Sequence, residues 1–103
     1  MQAITAYKRL DLKKARKAAR KLSAIDHSLR KRILLYLRWR GPATVTEIWI
    51  YFRIDQSIMS GHLAVLRRAG WVTTERQGKH IYYSINESEI DRVTEILSKF
   101  NKS

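Results

Sequence analysis

The side chains best suited to directional chemistry fall between Asp55 and Lys79. A helix opening at Asp55 has Ile58, Met59, Leu63, Val65 and Leu66 as its core side. Setting these aside leaves Gln56, Ser57, Ser60, Gly61, Ala64, Arg67 and Arg68, and Ser57, Ser60, Gly61, Ala64 and Arg68 share one side. Small and hydrogen-bonding groups let a helix sit deep in a DNA major groove about 12 Å wide. A glutamine amide pairs with the adenine edge through two hydrogen bonds, and serines contact bases or phosphates. The amides at the helix N-terminus offer a further phosphate contact. An ordinary solvent face carries Glu and Lys, and this one carries neither, which favours reading of double-stranded DNA.

A second group follows at Arg76, Gln77, Gly78 and Lys79. It lies between two runs rich in β-branched and aromatic residues, 71–76 and 80–85, and so forms the tip of a β-hairpin. Two cations at such a tip suit a wing that meets the DNA backbone or minor groove.

Other chemistries are poorly supplied. Asp55, Ser57 and His62 are close in sequence, but no pocket signature or buried acid orients them for catalysis, so no enzyme is expected. His27, His62 and His80 stand on different elements without ligand spacing, and there are no cysteines, so neither a disulfide framework nor a thiolate metal site exists. No cofactor is called for.

The elements that must hold the reading face are legible from spacing. Over residues 7–22, Leu12, Ala15, Ala19 and Leu22 stack on one helical face, with Arg9, Lys13, Arg16, Lys17 and Arg20 on the other. Asp26, His27 and Ser28 offer N-caps for a helix running to about Trp39 with Leu29, Ile33, Tyr36 and Leu37 inward, and Gly41-Pro42 ends it. Thr44-Val45-Thr46-Glu47 is a capping box for a short helix to about Phe52 with Val45, Ile48 and Phe52 inward. Ile54 can staple onto Met59, and Gly70 terminates the helix from Asp55. Asn86, with Glu89 three residues on, starts a last helix whose seam is Ile90, Val93, Leu97 and Phe100. The fold class is mainly α with a small β-hairpin, ordered ααααββα. Residues 1–103 form one winged-helix domain: a basic helix at 7–22, the helix-turn-helix at 44–69, the wing at 71–85 and the last helix at 86–100.

Composition bounds the partners. The net charge is +12, with 45% hydrophobic residues and no apolar run near the ~20 residues a membrane span needs. Residues 1–40 hold thirteen Lys/Arg against two acids, whereas residues 41–103 hold eight against seven. The surplus points to a polyanion. It also sits upstream of the reading helix, so Arg9, Lys13, Arg16, Lys17 and Arg20 are candidate phosphate contacts or a site for an acidic protein. No signal peptide is visible, and the cytoplasm is the expected compartment.

The run Ser57-Ile58-Met59-Ser60-Gly61-His62-Leu63-Ala64-Val65-Leu66-Arg67-Arg68-Ala69-Gly70-Trp71-Val72, followed by Gly78-Lys79-His80-Ile81-Tyr82-Tyr83-Ser84-Ile85, resembles the ArsR/SmtB family of bacterial and archaeal repressors. Leu29-Arg30-Lys31-Arg32-Ile33-Leu34 is similar to that family's second helix. The resemblance spans roughly 29–100; the first helix matches only in position. It implies a homodimer built from the first and last helices, through Leu12, Ala15, Ala19, Leu22, Ile90, Val93, Leu97 and Phe100. Two recognition helices would then enter successive major grooves of a palindromic operator. Positions matching Gln56, Ser57, Ser60, Gly61 and His62 commonly face DNA in the family. Gly61 departs from it, because a large polar residue is usual there. Many relatives bind metal through two cysteines at the positions of Trp49 and Tyr51. Neither residue ligates metal, so no metal is expected at the usual sites, and whether the two aromatics line a ligand pocket stays open.

The expectation is a sequence-specific, homodimeric DNA-binding repressor. The alternative is a winged-helix interaction module that binds an acidic protein or RNA through its basic N-terminal helices.

Overall fold

The computed structural model describes residues 2–101, with the side chains of residues 2–11, 96, 97 and 99–101 outside the description. Arg9, Leu97 and Phe100, named above for phosphate and dimer contacts, therefore lie outside the described side chains. The elements run α1 (Gln2–Ile25), α2 (Ser28–Arg40), β1 (Ala43–Thr44), α3 (Val45–Phe52), α4 (Gln56–Arg68), β2 (Val72–Gln77), β3 (His80–Ile85) and α5 (Glu87–Asn101). This is a winged helix-turn-helix, with α3 and α4 as the motif and β2–β3 as the wing.

Local chemistry sets the boundaries. His27 is the N-cap of α2, its Nδ1 accepting the Leu29 N–H at 3.2 Å. Gly41, at φ +90°, closes that helix by donating its N–H to the Leu37 carbonyl at 2.8 Å. The capping box at α3 is fully formed: Thr44 Oγ1 accepts the Glu47 N–H, and Glu47 Oε1 accepts the Thr44 N–H, each at 3.2 Å. Arg40 pairs with the same Glu47 carboxylate. Gly70 takes φ +85° after α4, and the Trp71 N–H then reaches back to the Leu66 carbonyl at 2.9 Å.

The sheet has a strand that the sequence pattern did not show. β1 pairs antiparallel with β3 through Ala43↔Tyr83 and Thr44↔Tyr82, giving the order β1-β3-β2. Two residues carry no readable alternation, and their partner is about forty positions away. The pairing ties the start of the helix-turn-helix to the wing.

The core gathers Ile33, Tyr36 and Leu37 from α2, Ile48 from α3, Met59, Leu63 and Leu66 from α4, and Trp71, Val72 and Ala43 around the sheet. Each fully buried aliphatic chain contributes about 1.5–3 kcal/mol. Ile58 does not join it. Assigned to the core by spacing, it is 55% exposed. It lies on the edge of the helix, and no other described element covers that edge.

The first helix is held differently. Every residue from position 12 to position 20 is exposed, and burial within the described part of α1 begins at Lys21. There Ala24 is buried, the Trp71 indole donates Nε1–H to the Lys21 carbonyl at 2.8 Å, and Lys21 Nζ pairs with Glu89 of α5. The radius of gyration, 16.6 Å, exceeds the ~13 Å of a compact chain this long.

Candidate nucleic-acid interface

Helix α4 is fixed from one side and open on the other. Met59, Leu63 and Leu66 have no exposed surface, while Gln56, Ser57, Ser60, Gly61, Ala64, Arg67 and Arg68 are all exposed. The structure thus brings seven of the eight expected recognition-helix residues onto the outward side. His62 is the exception: it is half-buried and turned toward α2. Its Nδ1 lies 3.3 Å from Arg30 Nη1, and its ring centroid lies 4.8 Å from that of His27. Arg30 is itself held by donating Nε–H to the Ala24 carbonyl. Burial first, then the neighbouring His27 and Arg30 charges, pushes the His62 pKa below its ordinary value.

The N-terminal turn of α4 divides its polar groups by availability. Asp55 caps the helix, its Oδ1 accepting the Ser57 N–H at 2.9 Å and the Ser57 hydroxyl at 2.6 Å. The Ser57 hydroxyl, then its backbone amide, holds the Asp55 carboxyl below the usual carboxylate range. Ser57 therefore has its proton engaged and offers only lone pairs. Gln56 and Ser60 have no intramolecular side-chain hydrogen bond among the described residues, so both keep their full donor and acceptor capacity for a ligand. At Gly61, where the family usually carries a large polar residue, nothing stands within 4 Å of where a Cβ would be.

Trp49, Asp55, Gln56, Ser57 and Ser60 line a shallow groove where α3 meets this turn. The Trp49 Nε1–H is buried there without an acceptor, whereas Tyr51 is 57% exposed and stacks its ring 4.2 Å from Tyr36. The two aromatics do not share one pocket. The Trp49 indole N–H is a donor only and supplies no metal ligand, and the Tyr51 ring packs against Tyr36 and Phe52. Among the described residues no cluster of three His, Cys, Asp or Glu side chains could hold a metal ion.

Two cationic regions flank the reading helix. The wing turns through Gly78 and Lys79, with Gln77 opposite His80 in register. Gly78 has φ +64° and Lys79 is not left-handed, the pattern of a type II′ turn, which needs glycine at its first central position. Arg76 folds over this tip, donating Nε–H to the Gly78 carbonyl at 3.2 Å. On the other flank, Lys13, Lys17 and Arg20 of α1, one helical face apart by fours and threes, share a groove with Lys21, Arg68 and Ala69. Arg16 is exposed but does not line it. This meeting of α1 with the end of α4 was not readable from local spacing, because the two segments are about fifty residues apart. No described helix is long and apolar enough to cross a membrane.

An open helix seated on a helix-turn-helix with an adjoining wing is the architecture of winged-helix transcription regulators. Comparison with known proteins narrows the class. Residues 27–74 match the family described as bacterial regulatory protein, arsR family. The arsenical resistance operon repressor of Bacillus subtilis (strain 168) is 33% identical over 76 residues, covering 74% of this chain and 72% of that protein. HlyU of Vibrio cholerae, named a transcriptional activator, is 31% identical over 87 residues, covering 84% of this chain and 80% of its own. The solved structure of HlyU from Vibrio cholerae N16961 superposes with a TM-score of 0.67 at 30% identity, covering 88% of this chain and 98% of that one. A structure described as the homodimeric winged helix-turn-helix DNA-binding domain Mb0332 from Mycobacterium bovis superposes with a TM-score of 0.74 at 23% identity, covering 89% and 84%. The chain belongs to the arsR family of bacterial regulatory proteins.

Proposed function

We propose that this protein is a homodimeric, sequence-specific repressor that sets α4 of each protomer into successive major grooves of a palindromic operator. The observation that carries this reading is the outward side of α4, where Gln56 and Ser60 are exposed with unengaged hydrogen-bonding groups amid small residues. Gln56, Ser60 and the lone pairs of Ser57 read bases; Gly61 and Ala64 permit close approach; Arg67 and Arg68 meet phosphates. His62 supports the helix from its α2 side rather than reading a base directly. Arg76, Gln77, Gly78 and Lys79 bring the wing to the backbone or minor groove. Lys13, Lys17 and Arg20, with Arg68, receive the flanking phosphates, and Arg9 and Arg16 add to the surrounding positive field.

Dimer formation would cover the apolar stripe that α1 leaves in solvent, Leu12, Ala15, Ala19 and Leu22, of which Leu12 is 54% and Leu22 45% exposed. Ile90 and Val93 of α5 are half-buried against their own core and supply the edge of that contact. Trp49 and Tyr51 replace the thiolates through which many relatives sense metal, so the regulator does not respond to metal at those positions. The repressor reading follows the resistance-operon relative; HlyU carries the opposite name, and a reporter assay with and without the protein decides the sign.

Selection of bound sites from random duplexes tests the whole reading. It is expected to return an inverted repeat with half-site centres one helical turn or a multiple of it apart. Binding that is equal on all duplexes, with capture of RNA or an acidic protein by the α1 cations, would favour the alternative of an interaction module. The concentration of charge on residues 1–40 is that alternative's one specific support.

A further inference from the structure

We propose that Ile58 reads the C5-methyl group of a thymine at one fixed position of each operator half-site. The inference rests on α4 being the DNA-reading helix and names a contact that its polar residues cannot make.

Ile58 is the only large apolar side chain on α4 that is mostly exposed, and it is absent from the apolar cluster that absorbs Met59, Val65 and their neighbours. It stands in the first turn, the part of a recognition helix that reaches base edges. Its neighbour one turn on is Gly61, where nothing lies within 4 Å of the place a Cβ would occupy, so the isoleucine is not screened on its outward side. By helical spacing Ile58 borders Gly61 at the edge of the outward side and lies across the helix from Ser60, and the preceding Ser57 is short. A helix docked in a major groove would therefore press an aliphatic group onto the base edges there. Of the groups the four base pairs present in that groove, only the thymine methyl is apolar. Any other base edge would place an unpaired donor or acceptor against the isoleucine, which costs free energy. The contact thus selects T·A at one position and disfavours the other three pairs.

The test uses the purified full chain and the operator it selects from random duplexes. Each thymine of the half-site is replaced in turn by deoxyuridine, which lacks only the methyl group, symmetrically in both half-sites. At one thymine position the wild-type protein should lose about fourfold in affinity per methyl removed. Ile58→Ala should bind the thymine and deoxyuridine duplexes alike at that position while keeping discrimination at its other positions. Ile58→Val should retain part of the preference. Thermal melting and sizing of both variants should match the wild type, because the residue is outside the core. A selected half-site without thymine, deoxyuridine tolerance by the wild type at every thymine, or a preference that survives Ile58→Ala would each overturn this assignment while leaving α4 as the reader. A change of oligomeric state in Ile58→Ala would place the side chain in a subunit contact and overturn it as well. Equal binding of selected and random duplexes would instead sink the reading of α4 itself.

Discussion

Helices α4 and α1 meet in one cationic groove, yet they are held in opposite ways. α4 is clamped by three side chains with no exposed surface, Met59, Leu63 and Leu66, and presents short groups outward. In α1 every residue from position 12 to position 20 is exposed, and its buried and hydrogen-bonded contacts in the described part begin at Lys21. The difference separates two requirements of a DNA-binding protein. Reading a base edge needs a helix whose angle and depth are fixed, and core packing supplies that. Attracting a polyanion needs charge but little positional precision, so the cations can stand on a projecting helix while the reader stays nearly neutral.

The sharpest way to break this contrast is to loosen the clamp. Leu63→Ala should destabilise the protein by about 2–5 kcal/mol in denaturant unfolding. Leu12→Ala should change monomer stability by no more than about 0.5 kcal/mol. Comparable losses at both positions would mean that α1 is packed into the body after all.

Next comes the anchor. Trp71→Phe removes the indole donor from the Lys21 carbonyl and should cost about 1–3 kcal/mol. Amide exchange should quicken in the last turn of α1 more than in α4. Uniform acceleration would show the anchor and the clamp to be one cooperative unit.

A smaller effect separates the two flanks of α4 by pH. His62 is held below its ordinary pKa, chiefly by burial, so the unfolded chain binds its proton more readily than the folded one. The stability is therefore complete above the unfolded value near 6.5 and falls as pH drops through it. Melting temperature followed from pH 8 to pH 5, an interval on the order of one or two units either side of an ordinary histidine pKa, should decline less for His62→Gln than for the wild type. Parallel curves would remove His62 from the account. Least of all should stability respond to neutralising Lys13, Lys17 and Arg20 together. The expected change lies within about 0.5 kcal/mol, and the effect appears instead as a shallower salt dependence of DNA binding, by about 0.9 for each phosphate no longer neutralised. An unchanged slope would exclude α1 from the DNA.

Much of this was readable in the residues. The capping box at Thr44 and Glu47, the left-handed Gly70 and the spacing of Met59, Leu63 and Leu66 are local signals, and each produces the feature it implies. The outward residues of α4 followed by subtraction from that spacing. What escaped were relations between distant segments. β1 is two residues long and is defined by its pairing with Tyr82 and Tyr83. His62 belongs by sequence to the reading run, but Arg30 and His27, more than thirty positions upstream, draw it off that face. Ile58 was misassigned because an aliphatic residue at a helix edge satisfies the core spacing whether or not another element arrives to cover it. Likewise the stripe on α1 shows that something apolar is to be covered without saying by what.

The central claim is that α4 reads sequence with Gln56 and Ser60 while the charged elements supply affinity. Its most direct test is the affinity of Ser60→Ala and Gln56→Ala for a selected operator and for random duplex of the same length, measured side by side at one salt concentration. The account predicts a loss of about 1–3 kcal/mol in discrimination for each good base contact removed, with binding to random duplex unchanged. Equal weakening on both duplexes would contradict it.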